Sequence, residues 1–471
     1  MEWAPARERF GARALSEACW ATEDGMAKCG SMMRVFGAPG QVRMMTRVVA
    51  VALSLLALAP SAAVAREPVA APLLRIEPEK VGLSSARLAR IAPALQTEVD
   101  AGRLPGAVVA IARKGRLVYL DAVGFRDKAK GAAMPIDAIF SIASMTKPMT
   151  SAAALMLYEE GRLLLSDPVS KHLPQLKDMK VGSLKAGADG KAEVVLVAAE
   201  REMTVQDLLR HTSGLSYREF GGTEIEKLYP SGLPALTMTG PEFLEALAKA
   251  PLRHQPGTAF QYSLSTDVLG LVVEKVSGQS LFELLEERLW RPLGMTDTHF
   301  AIASDKAGRQ AVPLAIDPQT GKPPTVVHAP GQALKFACGG ACAVSTAADY
   351  VRFAEMLRMG GTLGAQRLLG RKTVELMTAN HLTPAMLSAL RPGQIAAGYG
   401  FGLGVATRLE TGVANLSGSA GDFDWSGAFG TTFWVDPKEE LSVVFMSQQG
   451  GLQRVLMRQL IRTLVMAAVT D

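Results

Sequence analysis

Strand-like segments stand at both ends of the body of this chain and helix-like segments fill its middle, so the two ends have to meet. Near the front, apolar runs at 107–112 and 117–123 flank Arg113-Lys-Gly-Arg116, a glycine-containing loop that predicts a hairpin. Toward the end the composition shifts to glycine and β-branched residues. Residues 401–406, 431–435 and 441–446 predict strands there, with Asp436-Pro437 turning between the last two. Between these ends, Thr204 followed by Asp207 predicts a capped helix, and 241–249, 267–276 and 281–290 predict three more. Helices are also predicted at 83–98, 346–357 and 373–378, whereas 177–199 reads as an excursion with one small hairpin and 301–336 as mostly loop. The expectation is an α+β fold. One sheet is assembled from 66–165 and 345–471, and 166–344 forms a mainly helical insertion.

Composition excludes several classes of protein. A chain of 471 residues with 48% hydrophobic content can bury a large core and is not disordered. Its net charge of +5, from 50 basic and 45 acidic residues, gives no sign of a nucleic-acid partner. Residues 44–65 read as a secretory signal peptide: a basic start at Arg47, a twelve-residue apolar segment from Val48 to Ala59, and small residues Ala63-Val-Ala65 at the cleavage positions. That segment falls short of the roughly 20 residues needed to span a bilayer, so no stable membrane span is expected after cleavage. The expected location is outside the cytoplasm, periplasmic or secreted. Residues 1–43, upstream of that signal, resemble neither a leader nor a domain and are read as an artefact of start-site choice.

Two cysteines, Cys338 and Cys342, remain in the exported chain. A disulfide is permitted there, but four residues in extended conformation exceed the roughly 7 Å limit between Cα atoms, so the default is two small buried residues beside a glycine turn. No histidine lies close enough to complete a zinc site with them, and His172, His254, His299, His328 and His381 are scattered, so no metal is expected. In the last segment, 452–468, Arg454, Arg458 and Arg462 fall four apart and read as the solvated face of a helix, with Leu456, Leu460 and Leu464 on another side.

The chemistry concentrates at Ser144-Met-Thr-Lys147, the single Ser-x-x-Lys of the sequence, which opens an apolar run from Met149 to Leu157. A residue three positions along a helix lies on the same face, so the Lys147 amine can reach the Ser144 hydroxyl. Pro148 fits, because proline is tolerated close to a helix start. A serine hydroxyl is a poor nucleophile until a base takes its proton, and a lysine serves where burial or neighbouring charge lowers its pKa. The free N–H groups of the first helical turn favour the negative charge that develops. No Gly-x-Ser-x-Gly elbow is present, which argues against an α/β-hydrolase.

Four segments, in order, resemble the serine hydrolases of β-lactamase and penicillin-binding-protein type, and within them the class C β-lactamase-like family VIII carboxylesterases. They are Phe140-Ser-Ile-Ala-Ser-Met-Thr-Lys-Pro148, Leu208-Leu-Arg-His-Thr-Ser-Gly-Leu215, Gln255-Pro-Gly-Thr-Ala-Phe-Gln-Tyr-Ser263 and Gly421-Asp-Phe-Asp-Trp-Ser-Gly427. The resemblance spans nearly all of 75–471. It implies a mainly antiparallel sheet flanked by helices, with the active site in the cleft against the helical part. It also implies that Tyr262 shares the serine proton with Lys147 and passes it to the leaving group. Trp425-Ser426-Gly427 stands where a β-lactamase has Lys-Thr-Gly, and by position the N–H of Ala428 joins that of Ser144 in the oxyanion hole. His211-Thr-Ser-Gly214 is given a structural role.

Two departures bear on substrate. Leu264 occupies the asparagine position of the usual Tyr-x-Asn, and Trp425 replaces the lysine that holds a drug carboxylate. Both favour a neutral, short-chain ester over a penicillin. The expected partner is a small ester or amide with no cofactor. The alternatives are a β-lactamase, a D-amino-acid peptidase, a transesterase and, in another class, a penicillin-binding scaffold that acylates once and stalls.

Overall fold

The computed structural model describes residues 69–187, 191–324, 326–391 and 393–471, so the upstream segment and the signal segment lie outside the described residues. The two ends do meet in one eight-stranded sheet. Its strands are β1 (Gly106–Arg113), β2 (Arg116–Asp127), β3 (Ala132–Ala133), β4 (Tyr399–Phe401), β5 (Ala406–Arg408), β6 (Phe423–Ser426), β7 (Thr432–Asp436) and β8 (Leu441–Ser447). They lie in the order β4-β5-β6-β7-β8-β1-β2-β3, and every neighbouring pair is antiparallel.

The β1–β2 hairpin turns through Lys114 and Gly115, both at positive φ, as a two-residue hairpin turn requires. The seam between the chain ends is β1 against β8, running from Ala107 opposite Ser447 to Arg113 opposite Leu441. β1 is buried throughout because both of its faces are covered. Val108, Ala110 and Ala112 face the larger core, while Ala107, Val109 and Ile111 face Leu95, Val99, Ile461 and Val465 of the two terminal helices. The inserted part is mainly helical, with the small hairpin formed by Lys180–Ala186 and Ala192–Ala198. Residues 301–336 contain one short 3-10 helix, Ser304–Arg309. Among the described residues no helix is long and apolar enough to cross a membrane.

Three expectations need correction. The helix expected at 83–98 is two, Ser85–Leu88 and Ile91–Asp100. Pro93 lacks the N–H that would bond the Ala89 carbonyl, and it sits instead in the first turn of the second helix. Cys338 and Cys342 form a disulfide, because the Gly-Gly-Ala between them turns rather than extends: the Cα atoms are 5.3 Å apart and the Cys342 N–H donates to the Cys338 carbonyl at 3.4 Å.

The third correction concerns the C-terminal helix, Gly451–Met466. Its arginine stripe is not a solvated face. Arg462 is 4% exposed and pairs with Asp422 and Asp424 at β6, and Arg458 reaches the backbone of the turn beyond β6. Leu456, by contrast, is 45% exposed. The carboxylates and carbonyls that draw the arginines inward come from a distant part of the sequence, and helical periodicity carries no trace of them.

Candidate active site

The nucleophile side is built by one continuous stretch. Phe140–Ser141 pairs with Val344–Ser345 and leads through Ile142 into a 3-10 turn, Ala143–Met145, followed directly by the helix Thr146–Glu159. Ala143 has φ 45°, a region non-glycine residues rarely adopt. The turn is held there by the Thr146 hydroxyl, which donates to the Ala143 carbonyl at 2.6 Å, and by the Tyr350 hydroxyl, which donates to the Met145 carbonyl at 2.7 Å. The helix is buried from Thr146 to Leu157, so its register cannot slide. Lys147 is completely buried, and Ser144 keeps partial access to solvent.

Lys147 Nζ lies 3.4 Å from Ser144 Oγ, 2.8 Å from the Gly340 carbonyl oxygen and 3.0 Å from Tyr217 Oη. The Gly340 carbonyl belongs to the disulfide-closed loop, whose Gly339 carbonyl accepts from the Thr150 hydroxyl at 2.8 Å. A Cβ on Gly340 would sit 2.4 Å from Asp267 Oδ2, so only glycine lets the loop approach this closely. Asp267 accepts the Gly340 N–H at 3.1 Å. Burial pushes its carboxyl above the usual range, against the pull of the Lys147 charge.

Tyr262 precedes the helix Ser265–Ser277 and lies beside the lysine, with Lys147 Nζ 4.6 Å from its ring centroid. Its hydroxyl is buried and finds no hydrogen-bond partner among the described residues. The phenol that contacts the amine is Tyr217. Burial first, and the Asp267 carboxylate second, hold the Tyr217 pKa well above the ordinary tyrosine value, so this group stays a neutral phenol. Sequence reasoning missed both Tyr217 and Asp267. Tyr217 follows the quoted His211 segment by two residues and Asp267 follows Tyr262 by five, yet neither spacing carries a chemical signal of its own.

The opposite wall is the end of β6. Gly427 packs against the backbone just ahead of the nucleophile: a Cβ there would lie 2.2 Å from the Ile142 carbonyl oxygen. The Thr431 hydroxyl donates to that same oxygen at 3.2 Å. Residues 427–431 form a tight turn, closed by Gly427 N–H to the Thr431 carbonyl at 2.9 Å and Gly430 N–H to the Gly427 carbonyl at 3.3 Å. Ala428 is the second residue of that turn and lies beyond the end of β6. Among the described residues it donates to no backbone carbonyl outside its own element. The Ser426 hydroxyl is engaged with that of Thr432 at 2.8 Å.

Aromatic rings line the space between the walls. Around the Tyr262 ring, centroid distances are 4.7 Å to His211, 5.3 Å to Trp425, 5.6 Å to Tyr217 and 6.1 Å to Phe220. His211 is buried and neutral, since burial first and the Lys147 charge second hold its pKa well below 6.5. It packs in this wall with Nδ1 3.3 Å from Ser263 Oγ, as a structural residue would. A cavity of about 250 Å³, lined in part by Ser141, Pro313, Val327, Phe429 and Arg454, reaches the site at Ala428 and does not include Ser144 or Lys147 in its walls. The candidate site is therefore marked by the side-chain constellation and not by this cavity.

An amine touching a serine at a helix start, with a free backbone N–H on a strand end close by, is the arrangement of an acyl-transferring serine enzyme. The family model described as Beta-lactamase matches residues 91–465, and the chain belongs to that family. It is a serine hydrolase of the β-lactamase superfamily, with the β-lactamase/transpeptidase-like fold. The chain is 36% identical to Protein Rv1367c of Mycobacterium tuberculosis over 360 residues, covering 74% of this chain and 87% of that one. It is 32% identical to Esterase EstB of Burkholderia gladioli over 397 residues, covering 79% and 93%. Among solved structures it is similar to EstCE1, a hydrolase with promiscuous acyltransferase activity, at a TM-score of 0.66 and 28% identity, covering 82% of this chain and 99% of that one.

Proposed function

We propose that the protein is an exported carboxylesterase acting on short-chain, neutral esters through an acyl-enzyme on Ser144. Ser144 Oγ attacks the ester carbonyl as its proton passes to the Lys147–tyrosine pair. The N–H groups of Ser144 and Ala428 hold the oxyanion. Tyr262 returns the proton to the leaving alcohol, and water then releases the acyl group. Tyr217 keeps the lysine amine in place from the side facing the inserted domain. The observation that carries this reading is Lys147 Nζ, buried and 3.4 Å from Ser144 Oγ.

The substrate preference is supported by the wall that faces the acyl group. It is aromatic, and Trp425 stands where a drug carboxylate would need a cation. The likeness to an esterase at 32% identity supports the same choice. Transesterification is the second reading, favoured by the likeness to a hydrolase with acyltransferase activity, and it differs only in the acceptor of the acyl group. Export rests on the sequence of 44–65; an intact mass of the native protein beginning near Arg66 is the expected result, and one that retains 44–65 would overturn it.

A panel comparing a nitrophenyl acetate or butyrate, a cephalosporin and a D-Ala-D-Ala peptide tests the assignment. The esters are expected to be turned over fastest, and Ser144→Ala is expected to abolish that turnover while circular dichroism stays that of the wild type. Wild-type turnover in Ser144→Ala removes the serine from the mechanism. A cephalosporin preferred over the esters removes the substrate class.

A further inference from the structure

Two arginines of the C-terminal helix hold the turn at the strand end, and only one of them touches the Gly427–Ala428 peptide group. The C-terminal helix carries Arg458 beneath the 427–431 turn, where Nη2 donates to the Gly427 carbonyl at 2.5 Å and to the Thr431 carbonyl at 3.2 Å. The Gly427 carbonyl and the Ala428 N–H are the two ends of a single peptide unit. Resonance couples them, so density drawn onto the oxygen by a cation leaves the nitrogen poorer and its N–H a stronger donor. Arg454, one helical turn earlier, donates to the Ala428 carbonyl at 2.9 Å. That carbonyl belongs to the next peptide unit, so Arg454 anchors Ala428 without acting on its N–H.

The charge on Arg458 is costly where it lies. Its Nε is buried without a partner, and among the described residues no carboxylate is within ion-pair distance of it. Arg462, one turn on, has Asp422 and Asp424. A turn could be clamped by a neutral donor without the penalty of withdrawing an unpaired cation from water. We infer that Arg458 is a positioning residue of the oxyanion hole, its guanidinium strengthening the Ala428 N–H through the Gly427–Ala428 peptide. This rests on the reading that the Ala428 N–H binds the oxyanion.

The test is the infrared carbonyl stretch of the acyl-enzyme formed from a carbon-13-labelled ester, read together with kcat and KM for Arg458→Gln, Arg458→Lys and Arg454→Gln. In the wild type the acyl carbonyl is expected at lower frequency than the same ester in water. Arg458→Gln, which keeps a donor and loses the charge, should give back part of that shift and lower kcat roughly tenfold with KM little changed, well short of the hundred- to thousand-fold loss of a whole donor. Arg458→Lys should recover most of both, and Arg454→Gln should leave the frequency at the wild-type value.

A wild-type frequency in Arg458→Gln, or an equal displacement in Arg454→Gln, overturns the inference and leaves the oxyanion assignment standing. No lowering in the wild type itself overturns the assignment and the inference together. If Arg458→Gln does not fold, Arg458→Lys decides: a frequency near the wild type supports the inference, and one near the free ester overturns it.

Discussion

Ser144 and Lys147 are held by one unbroken helix start, whereas Ala428 is held by a turn that three separate segments keep in place. On the nucleophile side the relation between hydroxyl and amine is set by three residues of helical geometry, and burial from Thr146 to Leu157 fixes the helix as a whole. On the strand side the donor depends on the Ile142 backbone against Gly427, on the 427–431 turn itself and on arginines from the last helix. A local device tolerates change elsewhere in the molecule. A device assembled at long range can be tuned from elsewhere and also damaged from elsewhere.

Mutations should separate the two sides. After Ser144→Ala, which abolishes turnover, the largest loss is expected for Tyr262→Phe, about a hundred- to ten-thousand-fold in kcat. Tyr217→Phe, which removes one hydrogen bond from Lys147, should cost about tenfold. Steady-state kinetics on a nitrophenyl ester reads both, and a reversed order would move the proton relay to Tyr217. Between these two in size is Gly427→Ala, whose Cβ collides with the Ile142 carbonyl and displaces the Ala428 N–H. A fall of about a hundredfold in kcat is expected, together with a lowered melting temperature, because a buried collision with backbone has to be relieved. Near-wild-type turnover would show that the strand end is not needed for the reaction.

The smallest effect concerns stability. Withdrawal from water, outweighing the pull of Arg462, raises the Asp424 pKa to about 6. An aspartate in the unfolded chain titrates near 4, so between these values the folded state holds more protons. Stability therefore falls as pH rises from about 4 to about 6 and levels off above that. Asp424→Asn should reduce this slope in melting curves taken across the window, while the part supplied by Asp349, which burial also raises to about 6, remains. A slope of equal size in the variant would place its source outside the strand side.

The same division explains what could be read in the sequence. Ser144, Lys147, the β1–β2 hairpin and the meeting of the chain ends are local patterns, with periods of two or of three to four residues, and each is visible within a short window. Tyr217, Asp267 and the arginine stripe are not legible in this way, because their meaning comes from partners 26 to 73 residues away. Arg458 is the clearest case: its helical spacing matches that of a solvated face, and only the carbonyls of Gly427 and Thr431 give it another role. The disulfide was left open for a related reason, since a spacing of four is compatible with a turn or with an extended run.

The most direct test of the account is intact-mass spectrometry of protein quenched during turnover of a slow ester, followed by peptide mapping. The account predicts one acyl group added, carried on the peptide containing Ser144 and lost with time in water. An adduct on any other residue, or full turnover with no adduct trapped under single-turnover conditions, would contradict it.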